Sequence, residues 1–292
     1  MRFESSIAAF KSTLGNFITN HELIVQWWER FNYVPIYKKG NIPDPSNLEL
    51  VSSDAEIGEQ LSEDALQQAL AHPSLSSDVK RGLILIPASL MSEEFIANVR
   101  RDIELLKSLK EAWFKDDKIY DDPKIVSQTI NLKNLLAEDQ NRKVIIFTAY
   151  TDTADYIFEH LRLEGIRVLE YTGSNSTTEN KERVMANFDA GLEASQQKND
   201  YDVLVATDAI SEGYNLHRAG VIINYDIPYN PVRVVQRVGR INRINKRVFE
   251  ELHIYNSFPT AIGEGEVQTK RISTLKGSPH EYADWDGHPG PN

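Results

Sequence analysis

Short apolar runs alternate with helical periodicity between residues 143 and 258. The expected strands are residues 143–147, 166–171, 202–206, 221–225 and 251–255. Helical patterns at 152–163 and 179–188 and an arginine-rich segment at 231–243 lie between them. Apolar strands that alternate with helices of about 10–12 residues are typical of a parallel sheet with helices on both faces. This region is therefore predicted to be an α/β domain, whose ligands gather beyond the carboxyl ends of the strands.

Residues 231–243, PVRVVQRVGRINR, predict a helix that begins at Pro231, whose missing N–H suits a first turn. At about 100° per residue, one face is apolar and comprises Val234, Val235, Val238 and Ile241. The opposite face comprises Arg233, Gln236, Arg237, Gly239, Arg240 and Arg243. Four guanidinium groups on one face repel one another unless an anionic group lies against them, and their donors suit phosphate oxygens. A solvated basic face is the alternative.

Charge and composition narrow the possible ligands. The chain of 292 residues has a net charge of −11, yet residues 231–249 contain six basic residues and no acidic residue. An anionic ligand is therefore expected at this segment and not over the whole surface. The chain has no cysteine, and its seven histidines lack a metal-ligand spacing, so no metal site is expected. No apolar run is long enough to span a bilayer, which favours a cytoplasmic protein without a membrane partner.

Four regions are expected along the chain. Residues 1–36 are predicted to form a helical lead-in that packs on the lobe, and residues 37–135 a mainly helical insertion with an acidic loop. Residues 136–262 form the α/β lobe, and residues 263–292 an extension or tail.

Apolar stripes indicate the helices of the first two regions. The lead-in stripe is interrupted by a break near residues 19–21 and comprises Ile7, Phe10, Leu14, Phe17, Ile18, Ile24, Trp27 and Trp28. Residues 62–114 have helical patterns, and the stripe of their longest helix comprises Phe95, Val99, Ile103, Leu106 and Leu109.

Three segments resemble motifs of superfamily II helicases. Residues 143–150 (KVIIFTAY), 202–216 (DVLVATDAISEGYNL) and 236–243 (QRVGRINR) are similar to motifs IV, V and VI and occur in the same order. The resemblance is to the SWI/SNF-like branch, which includes the bacterial RapA type. It implies the second of two RecA-like lobes of an ATP-driven DNA motor. The residues after Arg243 are Ile-Asn-Lys where that branch usually has Ile/Leu-Gly-Gln, which indicates a divergent bacterial subgroup.

The resemblance also implies roles for individual residues. Arg240 and Arg243 would act on the ATP phosphates across a cleft, where a positioned guanidinium contributes about 10³–10⁵ in rate. The residues that would line the ATP cleft are Gln236, Gly239, Gly213 and Asn215. The residues that would contact the nucleic-acid backbone are Thr148, Tyr150, Gly173, Ser174, Thr207 and Ser211. Turn capping is the alternative role for Thr207 and Asp208.

Two elements of an ATPase site do not occur in the sequence. It has no Gly-x-x-x-x-Gly-Lys-Ser/Thr loop to hold phosphates and no Asp-Glu pair to hold Mg²⁺. ATP and Mg²⁺ are therefore expected to bind mainly to an N-terminal RecA-like lobe of the same full-length protein. This chain is expected not to hydrolyse ATP alone, and its nucleic-acid partner is expected to be double-stranded DNA and not RNA. A non-catalytic RecA-like binding module and an interaction scaffold that uses Trp27 and Trp28 are the alternatives.

Overall fold

The computed structural model describes residues 5–37, 40–48, 73–139, 141–211, 214–228, 230–242 and 248–258. They divide into two compact units. One unit comprises the residues up to Phe10 together with those from Tyr120 onward, and the other comprises residues 11–119. The tail at 263–292 and most of the acidic loop lie outside the described residues.

A five-stranded parallel sheet forms the centre of the larger unit. Its strands are β3 (Lys143–Thr148), β4 (Val168–Tyr171), β5 (Val203–Thr207), β6 (Ala219–Asn224) and β7 (His253–Asn256), in the order β4-β5-β3-β6-β7. The central strand β3 pairs with β5 and β6, so that Val144 lies between Val203 and Val221. Each strand occurs where the sequence predicts one, and the parallel arrangement is confirmed.

Helices cover both faces of this sheet. Helices α4 (Pro123–Glu138) and α5 (Thr151–Leu163) contribute Ile125, Leu132, Ala154, Ile157 and Leu161 to the core on one face. Helices α6 (Thr178–Phe188) and α7 (Pro231–Ile241) contribute Val184, Phe188 and Ile241 to the core on the other. The three inner strands β3, β5 and β6 are buried from both sides, which explains their nearly continuous apolar sequence. The predicted α/β fold, a RecA-like parallel sheet between two helical layers, is confirmed.

Helix α4 belongs to the sheet unit. The side chain of Asp122 accepts hydrogen bonds from the backbone N–H groups of Lys124 (3.1 Å) and Ile125 (3.2 Å), and Pro123 occupies the first turn. Ile125 and Leu132 are almost completely buried against the strands. The boundary expected at residue 136 therefore falls inside this helix, because its apolar face covers the sheet.

The smaller unit combines helices with a two-stranded antiparallel sheet. Its helices are α1 (Ile7–Phe31, which begins in the larger unit), α2 (Pro73–Lys80) and α3 (Phe95–Trp113). Strand β1 (Tyr33–Ile36) pairs with β2 (Ile84–Pro87). Its core comprises Trp27, Phe31, Tyr33, Leu75 and Leu83.

Several sequence expectations for the smaller unit are wrong. Helix α1 continues through residues 19–21, where a break was expected. None of these residues excludes a helical backbone, and the packing of the helix on either side stabilises this segment. The two strands went unrecognised since four residues are too few to show a period. Phe17 is 50% exposed and Leu109 37% exposed, so that both lie outside the core. None of the described helices is long and apolar enough to cross a bilayer.

Candidate nucleotide and nucleic-acid site

The predicted functional segments meet at the carboxyl edge of the sheet. Parallel strands end at one edge, and there residues 148–150 follow β3, residues 172–177 follow β4 and a 3-10 turn at Asp208–Ser211 follows β5. Helix α7 begins at the same edge after β6, where Asn230 caps it by accepting from Val232 N–H at 3.1 Å. This is the edge at which ligands of open parallel sheets bind.

Arg237 is the most deeply buried charge at this edge and is 1% exposed. Its Nε donates to Asp208 Oδ1 and its Nη1 to Asn224 Oδ1, both at 2.8 Å. The guanidinium also lies over the ring of Phe147, 5.0 Å from its centroid. The prediction that Arg237 lies on the solvent face of the helix is wrong. A buried guanidinium is tolerated here because a carboxylate, an amide and an aromatic face surround it.

Asp208 also binds a second arginine of the same helix. Arg233 Nη1 donates to Asp208 Oδ2 at 2.8 Å, and the Arg233 side chain remains 53% exposed. One carboxylate from the end of β5 thus neutralises two of the four guanidinium groups. For Arg233 and Arg237, the anionic partner that the charge pattern requires is therefore Asp208 of the protein itself.

Arg240 is placed differently. It is partly exposed, and its Nε is buried without a hydrogen-bond partner among the described residues. Its backbone carbonyl accepts from Leu216 N–H at 3.0 Å, which brings Asn215 close to the end of α7. Within the same part of the chain, Asn215 Oδ1 is also buried and unpartnered. An unpartnered donor and an unpartnered acceptor therefore belong to two segments that this backbone hydrogen bond joins.

The outward face of α7 carries the other two cleft residues that are described. Gln236 and Gly239 are exposed, and no atom lies within 4 Å of the position that a Cβ at residue 239 would take. Val235 shares this face and is 71% exposed. Its predicted place in the apolar stripe is wrong, because Arg237 occupies the buried face that the valine was expected to fill. The exposed helix surface is therefore part apolar and part polar.

Arg243 and Gly213 lie outside the described residues, and for Ser211 only the backbone is described. Among the residues expected to contact nucleic acid, Gly173 and Ser174 are exposed and Tyr150 is partly exposed. Thr207 is 8% exposed at the end of β5. No group of three or more His, Asp or Glu side chains that could hold a metal occurs in the part of the chain that is described.

Thr148 is completely buried, and its hydroxyl donates to the carboxylate of Asp226. Asp226 also accepts from Ala149 N–H at 2.8 Å and from Ser5 Oγ at 2.6 Å. Thr153 adds hydroxyl contacts to Ser5 (2.9 Å) and to Ser6 (2.8 Å). The hydroxyl of Thr148 is thus engaged within the protein, where it joins β3 to the N-terminal segment.

Sequence reasoning missed Asp226 and its partners. The only local signal is an acidic residue directly beyond a buried strand, in the segment NYDIP. Ser5 and Thr153 give no signal, since Ser5 lies 221 residues from Asp226 and Thr153 lies 148 residues from Ser5, and these contacts form only through the fold.

Comparison with known proteins finds a family match over this part of the chain. Residues 127–245 match the family model of the helicase conserved C-terminal domain. An uncharacterized ATP-dependent helicase, YqhH of Bacillus subtilis, is 38% identical over 114 residues, which is 39% of this chain and 18% of that protein. The ATP-dependent RNA helicase DBP8 of Pyricularia oryzae is 32% identical over 115 residues, again 39% of this chain and 18% of the relative.

A solved structure of the C-terminal part of the Fun30 ATPase domain covers 94% of this chain at 17% identity, with a TM-score of 0.43, which is too distant to bear on function. The aligned region spans only about a fifth of the length of the curated relatives. The family match begins within α4 and ends just beyond α7, so that it contains every motif at the carboxyl edge of the sheet. Residues 127–245 therefore match the helicase conserved C-terminal domain, the domain that forms the C-terminal lobe of superfamily II helicases.

Proposed function

We propose that this chain is the C-terminal motor lobe of an ATP-dependent DNA translocase or helicase of the SWI/SNF-like branch. In this proposal, Arg240 and Arg243 complete an ATP site that is otherwise built by an N-terminal RecA-like lobe of the same protein. Gln236, Gly239, Gly213 and Asn215 belong to the cleft between the lobes. ATP with Mg²⁺ binds mainly to the other lobe, since this sequence has no phosphate-binding loop of its own.

The observation that carries the proposal is the difference between the arginines of α7. Arg233 and Arg237 are paired with Asp208. Arg240, one turn further along the helix, forms no ion pair with a described residue, and its Nε is buried without a hydrogen bond, as is Nη2 of Arg237. A guanidinium held by its neighbours but not neutralised can stabilise the charge that develops during phosphoryl transfer. In this proposal, the ion pair between Arg237 and Asp208 holds the helix in place, and Arg240 contacts the ATP phosphates.

Substitution of Arg240 tests this role in a protein that joins the chain to its upstream lobe. Arg240→Ala is expected to lower nucleic-acid-stimulated ATP hydrolysis by about 10³-fold and to leave ATP binding largely intact. Arg233→Ala is the matched control on the same helix, because its charge is exposed and already paired. Loss of ATP binding with turnover spared would instead favour a non-catalytic binding module. The 292-residue chain alone is expected to show no stimulated hydrolysis.

Nucleic-acid contacts are proposed for the exposed residues of the same edge, Gly173 and Ser174, together with Tyr150, Thr207 and Ser211. The hydroxyl of Thr148 is buried and donates to Asp226. We therefore propose that Thr148 helps to position this edge of the sheet and does not contact nucleic acid directly. The preference for duplex DNA rests on the motif resemblance, whereas DBP8 is by name an RNA helicase.

Binding of the 292-residue chain to duplex DNA, single-stranded DNA and duplex RNA of equal length, at one salt concentration, tests the preference. The proposal expects the tightest binding to duplex DNA, with an affinity that falls as salt rises. Tighter binding to duplex RNA would contradict it and favour an RNA helicase.

A further inference from the structure

A cavity lies beside the last strand of the parallel sheet, on the face that α4 covers. Its volume is about 230 Å³. Ile223 of β6 and Tyr255 of β7 line it from the sheet. The polar side chains that line it come from α4 and are Gln128, Asn131, Asn134 and Glu138. None of these residues is assigned above to ATP or to nucleic acid. The volume suits one inserted side chain better than a whole nucleotide or cofactor.

The α4 wall of this cavity offers hydrogen-bond acceptors. Gln128 Nε2 donates to Ser257 Oγ at 2.9 Å, and Asn131 Nδ2 donates to the carbonyl of Ser127 at 2.8 Å. The oxygen of each carboxamide accepts no hydrogen bond from another described residue. Because the donors are engaged and the oxygens are not, this wall suits a ligand that brings its own N–H groups.

The charge of the cavity is negative. The carboxylate of Glu138 forms no ion pair with a described residue, and no basic side chain from the described part of the chain lines the cavity. Arg142, which follows α4, is paired with Asp139 at 3.4 Å and lies over the ring of Phe249. The cavity therefore repels phosphate groups and attracts a cation with several donors, such as a lysine or arginine side chain.

Strand β7 is one edge of the sheet. It pairs with β6, and no described strand lies on its other side. The opposite edge strand β4 contains a charged residue, Glu170, and charge within an edge strand is a common device against unwanted pairing. Residues 253–256, HIYN, contain no Lys, Arg, Asp, Glu or Pro. The outer edge of β7 therefore suits an added strand, whose every second side chain would point to the face on which the cavity lies.

Hydrogen bonds hold the walls of the cavity together. The contact of Gln128 with Ser257 joins α4 to the residue that follows β7. Ser257 N–H donates to the carbonyl of Asn224 at 3.0 Å, and Asn224 Nδ2 donates to Asn256 Oδ1 at 2.7 Å. A site that is held in place before binding loses less conformational entropy when a ligand arrives.

We propose that this cavity and the outer edge of β7 together bind an extended, basic peptide segment of a partner protein. The segment adds a strand to β7 through backbone hydrogen bonds, and one of its lysine or arginine side chains enters the cavity towards Glu138. A second copy of this chain fits less well, because its β7 contains no lysine or arginine and both copies would bring Glu138 to the contact. This peptide site does not depend on the proposed motor function.

Isothermal titration calorimetry of the 292-residue chain with a blocked octapeptide of alternating lysine and valine measures this binding. The same peptide with an N-methyl group on every residue keeps the charge but cannot donate backbone hydrogen bonds to β7. Its affinity is expected to be lower by about tenfold or more. Equal binding of the two peptides would show attraction by net charge alone and would overturn the proposal, as would the absence of binding at millimolar peptide.

Two substitutions in the cavity should change the affinity in opposite directions. Glu138→Lys reverses the charge and is expected to weaken binding about tenfold. Asn131→Asp adds a carboxylate of nearly the same shape and should tighten binding, a gain that a misfolded variant cannot produce. Glu182→Lys is the matched control for Glu138→Lys, because it makes the same change in net charge on an exposed residue of α6, on the opposite face of the sheet.

Equal weakening by Glu138→Lys and Glu182→Lys would contradict a localised site. Analytical ultracentrifugation of the chain without peptide tests the second copy as occupant. A dimer that Glu138→Lys changes and Glu182→Lys does not would assign the edge of β7 to self-association and would overturn the peptide site.

Discussion

Arg237 Nε lies 2.8 Å from Asp208 Oδ1, and this ion pair joins the arginine helix α7 to the turn that follows β5. Its two members come from the segments that resemble motifs VI and V. The pair is inside the protein, whereas the sequence pattern placed all four arginines outside. Of the arginines of this helix, Arg233 and Arg237 thus pair with Asp208, whereas Arg240 forms no ion pair with a described residue.

Removal of Arg237 should destabilise the fold. Arg237→Ala leaves the carboxylate of Asp208 without its buried partner, and breaking such a pair costs about 3–5 kcal/mol. Arg233→Ala removes the exposed partner of the same carboxylate and should cost less than about 1 kcal/mol. Urea unfolding of both variants checks the difference. Equal losses would show that burial does not distinguish the two arginines.

The hydroxyl groups around Asp226 should act together. Thr148→Val and Ser5→Ala each remove one donor to the same carboxylate, and each is expected to cost about 1–3 kcal/mol. The free energy of unfolding of the double variant should differ from the sum of the single changes by more than about 0.5 kcal/mol, since both donors share one acceptor. Strict additivity in a double-mutant cycle would contradict a shared network.

Lys143 should make stability increase with pH in the alkaline range. Burial, followed by the charge of Arg218, lowers the pKa of Lys143 to about 8, and its Nζ donates to the carbonyl of Tyr201. Between about pH 8 and pH 10 the unfolded chain binds more protons at this lysine than the folded chain does.

The free energy of unfolding should therefore rise over that range, by at most about 1.4 kcal/mol per pH unit. The same rise should be missing in Lys143→Met, which keeps an unbranched side chain at this position and removes the amine that lies over the ring of Phe188. If the free energy of unfolding rises equally in the variant, titratable groups other than Lys143 cause the rise.

The two neighbouring tryptophans of α1 should differ in their contribution to the smaller unit. Trp27 is completely buried and its Nε1 donates to the carbonyl of Pro43 at 2.8 Å, whereas Trp28 is partly exposed and lies on Phe95. Trp27→Ala is expected to cost about 3–5 kcal/mol. Trp28→Ala should cost clearly less. Thermal unfolding followed by circular dichroism compares them, and similar losses would contradict the observed burial.

The parallel sheet could be predicted because its three inner strands, β3, β5 and β6, are fully buried and consist mostly of apolar residues, as in KVIIF. The residue range of the arginine helix could be predicted, but not which of its faces is buried. Periodicity assigns Val235 to the core. In the structure the buried face of the helix instead contains Arg237, whose guanidinium is surrounded by an amide, a carboxylate and an aromatic ring. Such a cage is built from residues far apart in sequence, and no local pattern reveals it.

For the same reason, the hydroxyl network around Asp226 could not be predicted, since the topology alone brings Ser5 to Asp226 and Thr153 to Ser5. Arg240 was identified by resemblance, and the structure adds that its side chain is not neutralised by a described neighbour.

The burial of Ser5 and Ser6, 1% and 3% exposed, bears on how the molecule can be cut for study. A truncated version that starts at residue 127, where the family match begins, would strip away two hydroxyl groups and the capping carboxylate of Asp122. Screening of expression boundaries should therefore keep the first dozen residues attached or supply them as a separate peptide, and recovery of solubility on adding that peptide would be a direct sign of complementation.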